Sequence, residues 1–526
     1  MSDTPFDAAG VPASATRRDV MRTLLAGGML ASTAGGLLTF PGTALAQTPR
    51  KGGRIRVAMG AGSTADTLDP ARGSTIADYV RHYMFYSCLT TIDAKLAPQM
   101  ALAESVDSKD GTLWTVKLRK DVRFHDGKPL GAADVVYSLL RHKNPANASK
   151  VKTVADEFAE VKATGPLELQ IRLNSPNVDL PALLAASHFA IVKDGTTDFA
   201  TAVGTGPYKC KEFRPGVRSI GVRNDEYWKP GKPYLDEIEY FSIPDEAARV
   251  NALLSGDVQL INGVNPRSAA SFSGSGCTLF ESKTGLYTDL IMRDQLGPVK
   301  NPNFVLAMKY MLDREQIRKV AMRGYGTIAN DQPVQPGNRF YFAGLPQRKF
   351  DLDKAKFYLK KSGMAGQTLP IVASTAAGGS VDMAQIIQLS AQRAGLNLDI
   401  KRMPPDGYWS NHWAKHPMSF GNINPRQTVD LMFSLFYKSD SPMNVSGWKN
   451  EKFDQLLDLA RGETDEARRK QMYGDMQVLV HEQCGVGIPM FIHSLDGLGN
   501  KIRGYASHPL GGMMGYMFAD QIWLEA

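Results

Sequence analysis

The sequence predicts a mixed α/β fold with more than one domain. Residues 369–403 alternate as strand, helix and strand, which is the pattern of a βαβ unit. Trp114, Val116 and Leu118 alternate with polar residues, as expected of a half-buried strand. The chain has 526 residues, of which 43% are hydrophobic. This length is enough for large buried cores and for two to four domains.

The N-terminus has the pattern of an export signal. Arg17 and Arg18 precede a run from Thr23 to Phe40 that is rich in Gly, Ala and Leu. The small residues Ala44-Leu45-Ala46 follow, so we expect cleavage near Ala46 and a periplasmic protein that starts at Gln47. The arginine pair resembles a twin-arginine signal, and an ordinary secretory signal is the alternative. The run is short and broken by glycines, which disfavours a membrane anchor.

Composition excludes several classes of protein. The net charge is +8, but the basic residues are spread along the chain, so we expect no nucleic-acid partner. No later segment is long and apolar enough to span a bilayer. An exported chain can form disulfides, and its cysteines allow three full pairings or remain as scattered thiols. The cysteines are Cys88, Cys210, Cys277 and Cys484, and their spacing fits no metal site.

The N-terminal half begins with strands and a helix. A glycine turn leads into a strand that ends at Met59, and Lys109-Asp110-Gly111 is a tight-turn signal before the strand around Trp114. Residues 131–140 have apolar positions at helical spacing. In residues 204–240, a Gly-Thr-Gly-Pro turn precedes an alternating segment, an Asn-Asp turn, a Tyr-Trp pair in a Pro/Gly loop and a strand from Glu237 to Ile243.

The C-terminal half is predicted to be richer in helices. An amphipathic helix from Ser380 to Ala394 ends at Gly395, a residue type that commonly stops helices. It separates the two strands of the βαβ unit. Further helices are predicted over residues 303–323, 353–362, 452–461 and 465–482.

Several of these blocks, in this order, resemble the extracellular solute-binding proteins, family 5, which are the dipeptide, oligopeptide and nickel binding proteins of ABC importers. The resemblance covers nearly all of the mature chain. The blocks include LAESVDSKDGTLWTVKLRKDVRFHDG, GTGPYKCKEFRPGVRSIGVRNDEYWKPGKPYLDEIEY, NALLSGDVQLI, VLAMKYMLDREQIRKVAMRG and FDLDKAKFYLKKSG.

The resemblance implies a two-lobe periplasmic binding protein fold of the large type, with an extra N-terminal subdomain and a hinge between the lobes. Lobe I would span residues 47–291, with the extra subdomain at about 90–200. Lobe II would span 292–488, and residues 489–526 would return to lobe I. A peptide-like or other small polar solute would be captured by closure of the lobes and passed to a membrane permease and its ATPase. We expect a monomer that is not membrane-embedded, without a cofactor.

Enzyme signatures are absent from the sequence. It contains no GxxxxGK[ST] loop and no GxSxG elbow. His481-Glu482 begins like a zinc-protease HExxH, but residue 485 is glycine, and we interpret the pair as a solvated helix end. His412 and His416 suit a metal only if that stretch is helical, so we predict no metal site. A secreted hydrolase and a periplasmic chaperone are the alternatives from other classes.

Residues 406–448 are the most suggestive for ligand binding, because they hold three of the six tryptophans. Aromatic side chains offer a large contact area with few rotatable bonds, which suits a ligand cleft. For Tyr408, Trp409 and Trp413, which lie among Gly, Ser, Asn and Lys, pocket and core remain open as alternatives. Phe433 and Phe436 are predicted to be core residues.

The family resemblance also makes a missing acid informative. In peptide-binding relatives, an Asp near the equivalent of residues 421–427 pairs with the α-ammonium of the peptide. Here that stretch has no acid, and the first carboxylate is Asp430. Arg426 instead offers a fork that suits a carboxylate or phosphate, with an exposed loop arginine as the alternative. We therefore expect a neutral or carboxylate-bearing ligand, and the ligand-binding residues are predicted to be Tyr408, Trp409, Trp413, Asn422, Asn424, Arg426 and Asp430. The sequence leaves peptides, opines, sugars, nickel complexes and haem open.

Export is predicted to depend on Arg17 and Arg18, because this pair precedes a weakly apolar, glycine-rich run. Replacing both residues by lysine should leave the precursor in the cytoplasm, which cell fractionation measures. Normal periplasmic accumulation of the double variant would refute the twin-arginine interpretation and leave secretion by another route.

Overall fold

A computed structural model describes residues 48–293 and 295–525 of the chain. The predicted export signal over residues 1–46, with Arg17, Arg18 and the cleavage position Ala46, lies outside these residues. From Pro49 onward the chain forms one compact unit. In this described part, no helix has the length and apolar character needed to cross a membrane.

Twenty β-strands are present among the described residues. In chain order they are β1 Arg54–Met59, β2 Thr90–Ile92, β3 Pro98–Met100, β4 Ala103–Ser108, β5 Leu113–Leu118, β6 Phe158–Gly165, β7 Glu168–Leu173, β8 Tyr208–Arg214, β9 Arg218–Arg223, β10 Glu237–Ser242, β11 Leu260–Ile261, β12 Thr278–Met292, β13 Gly326–Ile328, β14 Thr368–Ala373, β15 Asn397–Arg402, β16 Met418–Ile423, β17 Val486–Gly487, β18 Met490–Leu498, β19 Ile502–Arg503 and β20 Trp523–Leu524.

The same residues form thirteen regular α-helices and several 3₁₀ turns. The helices are α1 Ile76–Phe85, α2 Ala132–Leu140, α3 Lys152–Asp156, α4 Leu180–Leu183, α5 Glu246–Leu254, α6 Pro302–Tyr310, α7 Arg314–Val320, α8 Leu352–Lys361, α9 Ser380–Ala394, α10 Tyr408–Asn411, α11 Val429–Phe436, α12 Glu451–Gly462 and α13 Glu466–Gln483. The 3₁₀ turns are Pro70–Arg72, Arg141–Lys143, Pro145–Asn147, Ser187–Phe189, Pro266–Phe272, Gly297–Lys300 and Phe518–Asp520.

A twelve-stranded sheet runs through the whole compact unit. Its order is β15-β14-β16-β12-β18-β11-β1-β10-β9-β8, with β13 paired to β18 and β17 paired to β12. The two longest strands, β12 and β18, pair antiparallel at its centre. Strands from the first half of the chain lie on one side of this pair and strands from the second half on the other. The predicted limits of lobe II, residues 292 and 488, lie at the end of β12 and just before β18, and the lobe limits themselves stay a prediction.

The region after β3 has a smaller sheet and a core of its own. Strands β4, β5, β7 and β6 form an antiparallel four-stranded sheet in that order. Trp114, Val116 and Leu118 of β5 point into a hydrophobic core built from residues between Leu89 and Ile191. The half-buried strand predicted from their alternation is confirmed.

The Gly-Thr-Gly-Pro turn packs on the end of α1. A side chain at Gly206 would lie 2.6 Å from the carbonyl oxygen of Met84 and would collide with the backbone of Phe85. Only glycine allows this approach, because backbone atoms cannot move aside as a flexible side chain can. The Tyr-Trp loop docks on the same segment, since the indole Nε1 of Trp228 donates to Ser87 Oγ at 3.1 Å. The strand predicted from Glu237 is confirmed as β10.

The predicted βαβ unit is confirmed as β14, α9 and β15, with the two strands parallel. Gly395 ends α9 with φ of 91°, which favours glycine. The single helix predicted over residues 303–323 is wrong, because the structure has α6 and α7 there. The chain restarts at Asp313, whose side chain accepts a hydrogen bond from the Gln316 N–H at 3.0 Å and caps α7.

The structure shows the state of the cysteines and the surroundings of His481. Cys88, Cys210 and Cys277 are free thiols, and burial raises the pKa of Cys88 to about 12. Cys484 is buried, with its sulfur 3.5 Å from Ser446 Oγ. His481 is not solvated as predicted. Its Nδ1 lies 2.7 Å from the carbonyl oxygen of Asn330, and burial lowers its pKa to about 4.

Candidate functional site

An irregularity in the central strand pair marks the candidate site. The register between β12 and β18 shifts between Lys283 and Leu286. Gly285 therefore turns its N–H away from the ladder and donates to the carbonyl oxygen of Pro509 at 3.1 Å. Bulges of this kind are common next to binding sites, because they redirect the chain locally.

Two loops from the second half of the chain approach Gly285. A Cβ atom at this position would lie 3.1 Å from Gln335 Nε2 and 3.2 Å from Pro425 Cβ. Glycine leaves the space that these two side chains occupy. The bulge thus brings together the loop after β13, the loop after β16 and the C-terminal segment that contains Pro509.

Arg426 is the cation of this site. Its Nη1 donates to the carbonyl oxygens of Asn424 at 3.0 Å and Pro425 at 3.3 Å, and its guanidinium carbon lies 5.2 Å from the ring centroid of Phe436. Within residues 48–293 and 295–525, Nε and Nη2 have no hydrogen-bond partner, and no carboxylate forms an ion pair with Arg426. The Arg426 side chain is half-buried, which lowers its pKa, and it has no counterion among these residues.

Three tyrosines are the electrostatic neighbours of this guanidinium: Tyr287, Tyr79 and Tyr516. Tyr79 belongs to α1 and Tyr516 to the C-terminal segment, and their rings lie 5.6 Å apart. The Tyr287 hydroxyl lies 3.1 Å from that of Tyr437. Arg426 therefore faces an aromatic wall to which α1, β12 and the C-terminal segment each contribute.

The turn that carries Tyr516 has an unusual backbone. Met513, Met514 and Tyr516 have φ of 54°, 54° and 77°, a region that costs free energy for residues other than glycine. Asp496 holds the turn, because its Oδ2 accepts hydrogen bonds from the Met513 N–H at 2.9 Å and the Tyr505 hydroxyl at 2.7 Å. Burial raises the pKa of Asp496 to about 6. These contacts fix the position of the Tyr516 ring.

The loop that carries Gln335 is also firmly held. Asp331 pairs with Arg314 at 2.7 Å and with Arg348 at 2.5 Å, all three being buried. Burial alone would raise the pKa of Asp331, but the two guanidinium groups outweigh it and lower the pKa to about 2. The side-chain amide of Gln332 bonds both the N–H and the carbonyl oxygen of Val334. Gln335 is therefore presented by a rigid loop.

The predicted aromatic residues form a separate row. The Tyr408 ring is buried in the core and its hydroxyl donates to the Phe420 carbonyl oxygen at 2.7 Å. Trp409 is 43% exposed and its ring contacts Tyr408 and Trp413 edge to face. Trp413 is half-buried. Its Nε1 has no hydrogen-bond partner among the described residues and would lie 3.0 Å from a Cβ at Gly421. Its indole thus reaches β16 next to Asn422.

The predicted polar residues divide into two places. Asn422 lies on β16, and its Nδ2 donates to Thr288 Oγ1 at 3.2 Å. Asn424 and Arg426 lie on the loop that follows β16. Asp430 is buried on α11, where Arg461 Nε lies 3.2 Å from its Oδ1. It lines a cavity of about 150 Å³ with residues of α3, α4 and β7. Asn422, Asn424 and Arg426 thus follow one another along the end of β16 and the loop after it, and Asp430 has a partner of its own.

A second set of contacts joins the two halves of the chain beside Asp430. Arg469 of α13 pairs with Asp179 at 2.5 Å, and both side chains are buried. Burial opposes ionisation of Arg469, but Asp179 outweighs it and raises the pKa of this guanidinium. The Val178 N–H donates to the Arg461 carbonyl oxygen at 2.9 Å. The first and second halves thus contact each other here as well as at Arg426.

Sequence reasoning missed Tyr79, Tyr516 and Gln335. The run Gly511-Gly512-Met513-Met514-Gly515 was an available signal, since it predicts an irregular backbone next to Tyr516. No comparable signal marked Tyr79 or Gln335. The histidine pair 412 and 416 lies beyond the end of α10, with ring nitrogens 3.1 Å apart. In the described part of the chain, no group of three or more His, Cys, Asp or Glu could hold a metal ion.

Comparison with known proteins gives one family. The family of bacterial extracellular solute-binding proteins, family 5 Middle, matches residues 97–444. The glutathione-binding protein GsiB of Escherichia coli O6:K15:H31 (strain 536 / UPEC) is 26% identical over 464 residues, which cover 84% of this chain and 89% of that protein.

Solved structures show the same fold. The periplasmic binding protein DppA of Helicobacter pylori, in complex with the peptide STSA, has a TM-score of 0.75 at 24% identity, covering 91% of this chain and 99% of that one. The substrate-binding protein CtaP of Listeria monocytogenes has a TM-score of 0.80 at 21% identity, covering 90% and 100%. The expected two-lobe fold is confirmed.

The family match covers well over half of the chain and agrees with the block order in the sequence. It confirms the expected absence of catalytic function and gives no support to a hydrolase or a chaperone. Members of the family are periplasmic or extracellular. The chain belongs to the bacterial extracellular solute-binding proteins, family 5, and is the substrate-binding component of an ABC importer.

Proposed function

We propose that this protein captures a small peptide-like or related solute by a carboxylate group, and that Arg426 binds this carboxylate. The observation that carries the proposal is the half-buried guanidinium without a carboxylate partner among the described residues. Its Nε and Nη2 are the two donors not used by the loop carbonyls, and a guanidinium fork binds a carboxylate through two parallel hydrogen bonds.

The positive charge of Arg426 needs a compensating anion. An uncompensated buried charge costs several kcal/mol, whereas a paired and hydrogen-bonded charge costs far less. Arg314 and Arg469 obtain their anion within the chain, from Asp331 and Asp179. The buried Arg249 has no ion pair in the described part of the chain, but backbone carbonyl oxygens use all three of its nitrogens, which leaves Arg426 with the unused ones. Arg426 would obtain its anion from the solute, so binding and charge compensation would be the same event.

The relatives support the chemical class of the ligand. GsiB is named for glutathione, a peptide-like molecule with carboxylates and amides. The acid expected near residues 421–427 of a peptide-binding relative is missing here. Both facts fit a ligand that carries a carboxylate and whose binding does not need an acid in this loop to pair with an ammonium group. Asn422 and Asn424 would add polar contacts, with Trp413 as an apolar wall.

The lobe limits, lobe I at 47–291 and 489–526 with lobe II at 292–488, belong to the same proposal. Arg426 and Tyr437 would belong to lobe II, and Tyr79 and Tyr516 to lobe I. A solute at Arg426 would touch both lobes only when they are closed, which favours the closed state. The proposed route to the periplasm is a twin-arginine signal cleaved near Ala46, and the permease and its ATPase would accept the loaded protein.

Replacing Arg426 by alanine should weaken binding of a carboxylate ligand by about 30-fold or more, because loss of a buried charged hydrogen bond costs about 2–5 kcal/mol. Calorimetric titration with glutathione, dipeptides, tripeptides, acidic metabolites and neutral metabolites measures this change. Arg393→Ala is the matched control, since Arg393 is exposed at the end of α9. Tight peptide binding that Arg426→Ala leaves unchanged would refute the role of Arg426.

Ligand binding should reduce the radius of gyration, because the lobes close around the solute as rigid bodies. Small-angle scattering of the free and saturated protein measures this change. Opening must also separate Asp179 from Arg469, so Asp179→Asn should increase the radius of the free protein. An unchanged radius on saturation with a tightly bound ligand would contradict closure.

A further inference from the structure

We propose that Gln335 is a specificity-determining contact that recognises an amide group of the solute next to the carboxylate held by Arg426. The inference rests on the proposed function and goes further, because it selects acylated or peptide-type acids from among all carboxylates. Gln335 lies outside the stretch that the family resemblance singled out for ligand binding.

The side-chain amide of Gln335 has no hydrogen-bond partner in residues 48–293 and 295–525. Gln335 is 7% exposed, and its amide atoms are not among the fully buried ones, so the amide keeps contact with solvent. Side-chain amides of such buried residues are normally hydrogen-bonded within the protein, so this one is available to a ligand. Gln332, three residues earlier, shows the usual case, because its amide bonds Val334 on both sides.

The Gln335 amide lies at the bulge beside the residue that precedes Arg426. Gln335 Nε2 and Pro425 Cβ both lie next to the Cβ position of Gly285, at 3.1 and 3.2 Å. Arg426 follows Pro425 directly in the chain, so the loops that carry the two groups meet at this bulge. The N–H of Gly285 is used by Pro509, so the bulge itself does not satisfy Gln335.

The loop that carries Gln335 is rigid. The Asp331 ion pairs and the Gln332 bonds hold the loop, and the carbonyl oxygen of Gln335 accepts the Asn338 N–H at 3.0 Å. A contact group held in place by its surroundings discriminates better than a mobile one, because it cannot adjust to a wrong ligand.

The side-chain amide of Gln335 is complementary to a peptide bond. A primary amide offers a donor and an acceptor side by side, and so does a peptide bond. Gln335 Nε2 would donate to the ligand carbonyl oxygen, and Oε1 would accept from the ligand N–H. A carboxylate without an amide N–H would leave Oε1 unsatisfied, which is the arrangement by which polar sites reject analogues.

The test compares two probes that differ by one group. N-acetylglycine and levulinate share a carboxylate and a carbonyl, and the amide N–H of the first is a CH₂ in the second. Wild-type protein should bind N-acetylglycine about tenfold more tightly than levulinate, as expected for one unmade buried hydrogen bond. In Gln335→Met and Gln335→Leu this ratio should fall to about one, whereas Gln392→Met, an exposed glutamine on α9, should keep it.

The outcomes separate this inference from the proposed function. Arg426→Ala should weaken both probes while the ratio between them persists. A ratio that is unchanged in both Gln335 variants, or near one in wild-type protein, would overturn the role of Gln335 and leave that of Arg426. If both variants fail to unfold cooperatively, the wild-type ratio decides. Failure of glutathione and N-acetylglycine to bind would also overturn the inference, and if no carboxylate bound, the proposed function would fall with it.

Discussion

The antiparallel pairing of β12 with β18 is the constraint on which the rest of this structure depends. These two strands lie at the centre of the twelve-stranded sheet and connect the halves of the chain. Their pairing is interrupted only between Lys283 and Leu286. At this interruption, Gly285 lets loops from the second half approach the C-terminal segment. The site is thus a consequence of one break in an otherwise regular ladder.

Electrostatics supports the proposal that this meeting point is the binding site. Asp331 of the Gln335 loop pairs with two buried arginines, Arg314 of α7 and Arg348, and Asp179 pairs with Arg469 where the halves touch again. Because those charges are compensated inside the chain, they support geometry and do not select a ligand. Arg426 and Gln335 differ in that each keeps hydrogen-bond donors unused, although Gln335 is buried and Arg426 half-buried. A binding protein needs such groups, since affinity comes from interactions that only the ligand completes.

The sequence was sufficient for the fold and for part of the site. Periodicity identified α9 and the strands beside it, and the missing acid near residues 421–427 directed attention to Arg426. Periodicity failed at Asp313. The apolar spacing continues through residues 303–323, but the Asp313 side chain caps a second helix there. Tyr79 and Tyr516 are distant in sequence and meet only in the folded chain, as do Gln335 and Gly285. Local patterns carry no information about such a meeting.

The identity of the solute bound in the cell tests the central claim most directly. The protein purified natively from its host, without refolding, should release its ligand on denaturation, and mass spectrometry identifies it. The account predicts a small molecule with a carboxylate, and that molecule should be depleted from Arg426→Ala protein purified in parallel. Recovery of a ligand that lacks any anionic group, in equal amounts from both proteins, would contradict the account.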